Sequence, residues 1–216
     1  MGKPSDSFFF RIKALFSGIT EPLRFESCEG GVVITGYRDS LLPRARIPAA
    51  IQGKPVVRVG ARAFLECPFL EEVFFEEGVV SIEPNAFSAC ERLAQVHLSE
   101  SVQTIGRNVF FESRNLFCVD LPATLTEIGP RAFYGCTGLR DITLPDGLQV
   151  IGEQAFADCK KLKSIRLPLA LKEVTRNVFD GCTALERIYL ERGSYADRVF
   201  SQSEYYAAKL CYIPRI

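Results

Sequence analysis

The apolar positions of this chain repeat every 23 residues. Phe64, Phe87, Phe110, Phe133, Phe156 and Phe179 stand at identical intervals with no insertion between them. Six residues after each comes a leucine (Leu70, Leu93, Leu116, Leu139, Leu162, Leu185), and nine after it a Val or Ile. Eleven after it stands Phe75, Leu98, Leu121, Leu144, Leu167 or Leu190, and eighteen after the first five stands Ile or Val, often followed by glycine. A fixed period of roughly 20–50 residues is the signature of a solenoid, whose units bury their apolar faces only against neighbouring units. Most repeated residues therefore carry packing, and function belongs to positions that differ between copies.

The spacing within a unit predicts its elements. The last two apolar residues of Leu-x-x-Ile-x-Leu are two apart, which sends both to one face of a strand. Successive coils run the same way, so these strands pair in parallel. Pro122, Pro145 and Pro168 end the strand in three copies, because proline brings no N–H to a ladder. A second short strand ends at the Ile-Gly step. The segments Glu83–Phe87 and Gly129–Phe133 then read as single helical turns, with Pro84 and Pro130 in the first turn.

An open array exposes core and sheet edges, so both ends need closure. Phe8, Phe9, Ile12, Leu15, Phe16 and Ile19 recur at helical spacing and predict a helix packed on the first coil. Phe25–Cys28 and Val32–Tyr37 predict a hairpin turning through Glu29, Gly30 and Gly31. At the other end, Ser194–Phe200 and Ser203–Leu210 read as helical, and Cys211–Ile213 as a last strand. The expected organisation is a helix-and-hairpin cap over 1–58, a repeat array over 59–190 and a C-terminal cap over 191–216.

The run Cys-x-x-Leu-x-x-Ile-x-Leu-Pro-x-x-Leu-x-x-Ile-Gly-x-x-Ala-Phe, whole from Cys136 to Phe156, resembles the BspA-like leucine-rich repeat in its 23-residue treponemal form. The likeness covers about residues 47–190, and Arg46–Val56 resembles the way such arrays begin. Ser113 departs from the pattern in place of Cys, Val109 and Val178 in place of Ala, and Glu76 and Glu191 in place of Pro. The resemblance implies an α/β, strand-dominated solenoid: a right-handed leucine-rich-repeat superhelix with a parallel sheet on one face. It also implies protein-binding modules or bacterial surface adhesins for matrix protein or glycan, and no catalytic residues.

Charge changes the picture by exclusion. Lys+Arg and Asp+Glu are both 26, which argues against nucleic acid as partner. No apolar run reaches the roughly 18–20 residues of a membrane span. Among the eight cysteines, Cys67, Cys90, Cys136, Cys159 and Cys182 share one repeat position, three after the Phe. Parallel side chains on coils about 4.8 Å apart do not converge as a disulfide requires. There is no Cys-x-x-Cys and His97 is the only histidine, so no metal site is expected, and no cofactor. Buried reduced thiols and the lack of a secretory pattern point to the cytoplasm. The family resemblance points to the surface or to secretion, and the two stay open.

If the Val/Ile and Leu positions face inward, the alternate strand positions form an exposed face. Its central row is Phe74, His97, Asp120, Thr143, Arg166 and Tyr189, flanked by Glu72, Gln95, Cys118, Asp141, Ser164 and Arg187. These positions share no residue type. Glu71, Glu72, Glu76 and Glu77 crowd the first coil, and Lys160, Lys161, Lys163, Arg166, Arg187 and Arg192 the last, a dipolar surface suited to a partner of opposite pattern. Glu72, Phe74, His97, Asp120, Thr143, Arg166, Arg187 and Tyr189 are the candidate partner-binding residues, and an exposed sheet edge leaves self-association open. Cys118, His97 and Asp120 are also the parts of a thiol nucleophile site. A flat open sheet offers them no oxyanion hole or dry pocket, so the expected state is a surface His–Asp contact and no enzyme.

Overall fold

The computed structural model describes residues 23–37 and 43–214. The helix expected near the N-terminus lies outside them. β1 (Leu23–Cys28) and β2 (Gly31–Tyr37) form an antiparallel hairpin turned by Glu29 and Gly30. After β3 (Arg44–Ile47), the short β4 (Ala50–Ile51) folds back on β5 (Lys54–Val59). Three coils then each give a strand and a two-residue strand: β6 (Glu72–Phe75) and β7 (Ser81–Ile82), β8 (Gln95–His97) and β9 (Thr104–Ile105), β10 (Cys118–Asp120) and β11 (Glu127–Ile128). β12 (Val150–Ile151), β13 (Ser164–Arg166) and β14 (Arg187–Glu191) follow, then helices α1 (Tyr195–Phe200) and α2 (Glu204–Ala207) and the closing β15 (Leu210–Ile213).

These strands make the faces of a β-solenoid. The two-residue strands stack in parallel on the end of β5 in the order β5-β7-β9-β11-β12, and the hairpin joins this sheet through β2. The longer strands form the face expected from the Ile-x-Leu positions, in parallel register with Val73, Val96 and Val119 side by side. β3 joins its edge, setting Arg44 beside Glu72 and Arg46 beside Phe74. At the far end β13, β14 and β15 form a separate parallel sheet. The face is thus interrupted at Asp141–Leu144, where the sequence predicts an unbroken sheet.

Between the faces runs a column of rings. Phe64, Phe87, Phe110, Phe133, Phe156 and Phe179 are all buried, with successive centroids 4.7–6.1 Å apart and near-parallel planes. Tyr37 covers the first ring at 5.2 Å, and Phe200 of α1 covers the last at 5.9 Å. Burial of each ring contributes about 1.5–3 kcal/mol, and each ring ties its coil to the neighbouring coils.

The segments around these Phe residues take the form of turns, and only Arg176–Phe179 of the last repeat makes a 3-10 turn. Left-handed residues flank the ring two positions before and after it, as at Asn108 (φ 56°) and Glu112 (φ 57°). An ordinary helical turn directs its N–H groups back into its own chain. Here alternate peptides are flipped so that their N–H groups reach the next coil: Asn108 N donates to Pro130 O (3.0 Å), Phe110 N to Ala132 O (2.7 Å) and Glu112 N to Tyr134 O (2.8 Å). The same three bonds recur between the first five of these coils and two of them at the last seam, a third ladder beside the two sheets.

The cysteine position serves this ladder. Cys90, Cys136, Cys159 and Cys182 each point Sγ at the anchor-Phe carbonyl of the preceding coil, at 3.0–3.2 Å. Ser113 does the same with its hydroxyl, at 3.0 Å from Phe87 O. The thiols are free, and burial pushes that of Cys136 far above the ordinary thiol range.

Candidate functional site

Alternation along the longer strands places all eight candidate residues on the outer side of the interrupted face. In β6 and β8, Val73, Phe75 and Val96 are buried while Glu72, Phe74, Gln95 and His97 reach solvent. In β14, Ile188 and Leu190 are buried, Arg187 is exposed and Tyr189 half-exposed.

The N-terminal half of the face is a closed polar cluster. Phe74 and His97 stack with centroids 4.7 Å apart and planes 11° apart, so the Phe ring is half covered. His97 Nδ1 lies 2.6 Å from Asp120 Oδ2, and its Nε2 lies 3.6 Å from Glu72 Oε1. Glu72 is also held by Arg44, at 3.0 Å. Arg46 pairs with Glu76, which accepts from the Ala49 N–H at 2.9 Å as well. Arg44 and Arg46 belong to this cluster and are absent from the expected set. Their signal is the inward pair Ala45 and Ile47 followed by Pro48, a strand pattern without a full repeat before it.

Cys118 bonds Asp120 and not His97 among the described residues. Cys118 Sγ lies 3.9 Å from Asp120 Oδ1, and burial, then the Asp120 carboxylate, raise its pKa. A nucleophilic thiol needs its pKa lowered by a cation or base. His97 lies between the Asp120 and Glu72 carboxylates, and Asp120 stands between it and the thiol.

The C-terminal half is open. Arg166 and Tyr189 are lateral neighbours on β13 and β14, and Arg187 is hydrogen-bonded to Tyr189, which holds the guanidinium pKa up. Thr143 stands in the interruption. Among the described residues no hydrogen bond reaches the main chain of Asp141–Leu144, although both neighbouring coils remain bonded to this one through the third ladder. Ile142 and Leu144 are 8% and 7% exposed, as are Val119 and Phe75 at the equivalent positions of paired coils, so the core stays covered here. A shallow cleft of about 1160 Å³ lies over this coil between β10 and β13, lined also by Arg166 and Tyr189.

Ion pairing differs between the halves. Arg44, Arg46, Arg58, Arg92 and Arg114 each contact a glutamate. Arg140, Lys160, Lys161 and Lys163 line one mouth of the interruption together with Asp141, at more than ion-pair distance from any carboxylate of the described residues.

A parallel-stranded coil with inward Leu and Val/Ile ladders is a leucine-rich-repeat architecture. The model of the BspA type leucine-rich repeat region matches six copies over residues 57–186, and the chain belongs to that family, a family of repeat scaffolds. It is similar to a leucine-rich repeat protein of T. pallidum, at 31% identity and a TM-score of 0.75, over 77% of this chain and 78% of that one. A leucine-rich repeat protein of Bacteroides ovatus is likewise 31% identical with a TM-score of 0.71, over 81% of this chain and 47% of its own. The pneumococcal vaccine antigen PcpA shares the fold alone, at 16% identity and a TM-score of 0.63, over 88% of this chain and 48% of its own. The chain therefore spans about half the length of the last two. No curated protein matches it. No helix among the described residues is long and apolar enough to cross a membrane.

Proposed function

We propose that this chain is a non-enzymatic protein-binding module that engages its partner with the exposed sheet face. The observation that carries this reading is the contrast on β13 and β14. Their inward residues repeat the aliphatic pattern, while outward Arg166, Arg187 and Tyr189 form a contiguous accessible patch without a packing role. Arginine and tyrosine concentrate binding energy at interfaces. The paired cluster around His97 flanks the patch, since its charges already satisfy one another.

The test is affinity capture with wild type and an Arg166→Glu/Arg187→Glu/Tyr189→Ala variant whose fold is verified by circular dichroism. A partner retained by wild type and lost by the variant supports the reading. A partner held equally by both moves the site to another face. Capture from the source cell and, separately, from host-cell extract divides an internal partner from the adhesin alternative.

A further inference from the structure

Most cations of this protein already have a partner. Five arginines of the N-terminal half each meet a glutamate. Arg131, Lys172 and Arg176 donate to side-chain amides, and Arg192 and Arg198 lie over tyrosine rings. Four cations depart from this habit together. Arg140, Lys160, Lys161 and Lys163 have no ion pair, side-chain hydrogen bond or ring partner among the described residues, and all four are exposed on one lip, where the longer strands of the fourth and fifth coils begin.

Local folding puts them there. Cys159 and Leu162 are fully buried, so Lys160 and Lys161 between them, and Lys163 after them, turn outward. Lys163 N donates to Arg140 O at 3.3 Å, which sets these two side chains at matched positions of adjacent coils. Like charges so placed destabilise the pairing. Asp141 and Glu186 border the lip beyond ion-pair distance, and the cations outnumber them. One coil earlier, the position of Arg140 and Lys163 is held by Phe117, which is 50% exposed. The lip also runs into the sheet-face patch, since Lys163 leads directly into β13 and Arg187 pairs with Ser164 there.

We infer that this lip docks an acidic segment of a protein partner, with carboxylates over the four cations and an apolar side chain against Phe117. Charge complementarity names the occupant, because external carboxylates relieve cations that the fold holds together uncompensated. Nucleic acid fits less well: its affinity grows with the number of phosphates neutralised, and this short cationic stretch is bordered by two carboxylates. The inference rests on the protein-binding reading above and adds the chemistry of the partner.

The probe is a fluorescein-labelled peptide with a leucine followed by a run of glutamates, beside a copy carrying glutamines instead. Fluorescence anisotropy reads affinity for wild type, for Lys160→Glu/Lys163→Glu and for a charge-matched Lys172→Glu/Arg176→Glu variant, whose changes flank the Glu173 bridge to β12. The glutamine copy on wild type, and the glutamate peptide on the lip variant, should each bind roughly tenfold or more weakly. The charge-matched variant should stay within about threefold of wild type, and Phe117→Ala should weaken binding without changing its salt dependence. Equal affinity for the two peptides overturns the inference, as does an equal loss in the charge-matched variant. Tighter binding of single-stranded DNA or of phosphatidylserine vesicles than of the glutamate peptide overturns it in favour of a phosphate-bearing ligand. Each of these outcomes leaves the capture experiment standing, whereas a captured partner indifferent to Arg166, Arg187 and Tyr189 removes the broader reading.

Discussion

At the residue scale, the repeated cysteine is a hydrogen-bond donor as much as a packing group. Its carbonyl partner is the anchor-Phe carbonyl of the coil before it, and Ser113 occupies the same place in one copy. Cys136→Ser should therefore stay within about 1 kcal/mol of wild type, since it keeps the donor. Cys136→Ala leaves Phe110 O unpaired and should cost about 1–3 kcal/mol, read from urea unfolding. The buried thiols also set an alkaline limit. The Cys90 and Cys159 pKa values are raised in the fold above the ordinary 9.0 by hydrogen bonding to a neighbouring thiol and by burial, and that of Cys136 by burial. The unfolded state then loses protons first, so their contribution is full below pH about 8.5 and declines as pH rises beyond it. Urea midpoints at pH 7 and pH 10 should fall more steeply for wild type than for a Cys90→Ser/Cys136→Ser/Cys159→Ser variant.

At the scale of the element, the anchor rings and the close coil contacts make opposite demands. Phe133, stacked 5.2 Å from both neighbouring rings, should cost about 3–5 kcal/mol as Phe133→Ala, measured by chemical unfolding. Gly152 shows the opposite case. A Cβ there would lie 2.4 Å from Pro130 N and 2.7 Å from Gly129 C, backbone atoms that cannot move aside. Gly152→Ala should lose at least about 1–3 kcal/mol. Gly147→Ala meets nothing closer than 3.6 Å and should be near neutral in the same assay.

The contrast between these positions also marks how far the sequence could be read. The inward residues were legible because packing demands the same type in every copy, and the outward row followed from the period-2 alternation of a strand. The segments Glu83–Phe87 and Gly129–Phe133 read as helical in the sequence but form turns with left-handed residues, and only the Phe179 segment is a 3-10 helix. Asn85, Asn108, Gly135 and Gly181 at flipped positions were the available signal, since Asn and Gly tolerate the left-handed region, but Arg131, Gln154 and Glu66 occupy it too and obscured it. The interruption was invisible for a different reason. Asp141–Pro145 fits the repeat as well as any copy, and strand pairing depends on how neighbouring coils sit, which no single unit records.

At the scale of the whole molecule, stability is a sum of coils and the seams between them. The last seam is closed by Phe200 over the Phe179 ring, by Tyr206 packed on Phe200, and by β15 alongside β14. We propose that residues 191–216 act as an obligatory cap. A chain ending at residue 190 would leave Phe179, Leu185 and Ile188 uncovered, and size-exclusion chromatography should show it aggregated where the full chain is not.

The break in the longer-stranded face has a mechanical meaning. Around the fourth coil two of the three hydrogen-bonded ladders are continuous, and the third is cut. A beam with one flange severed resists compression and tension on its intact sides but yields easily toward or away from the cut. The solenoid should therefore flex at this coil in one preferred plane, the two half-arrays tilting like covers of a book about the Phe column as spine.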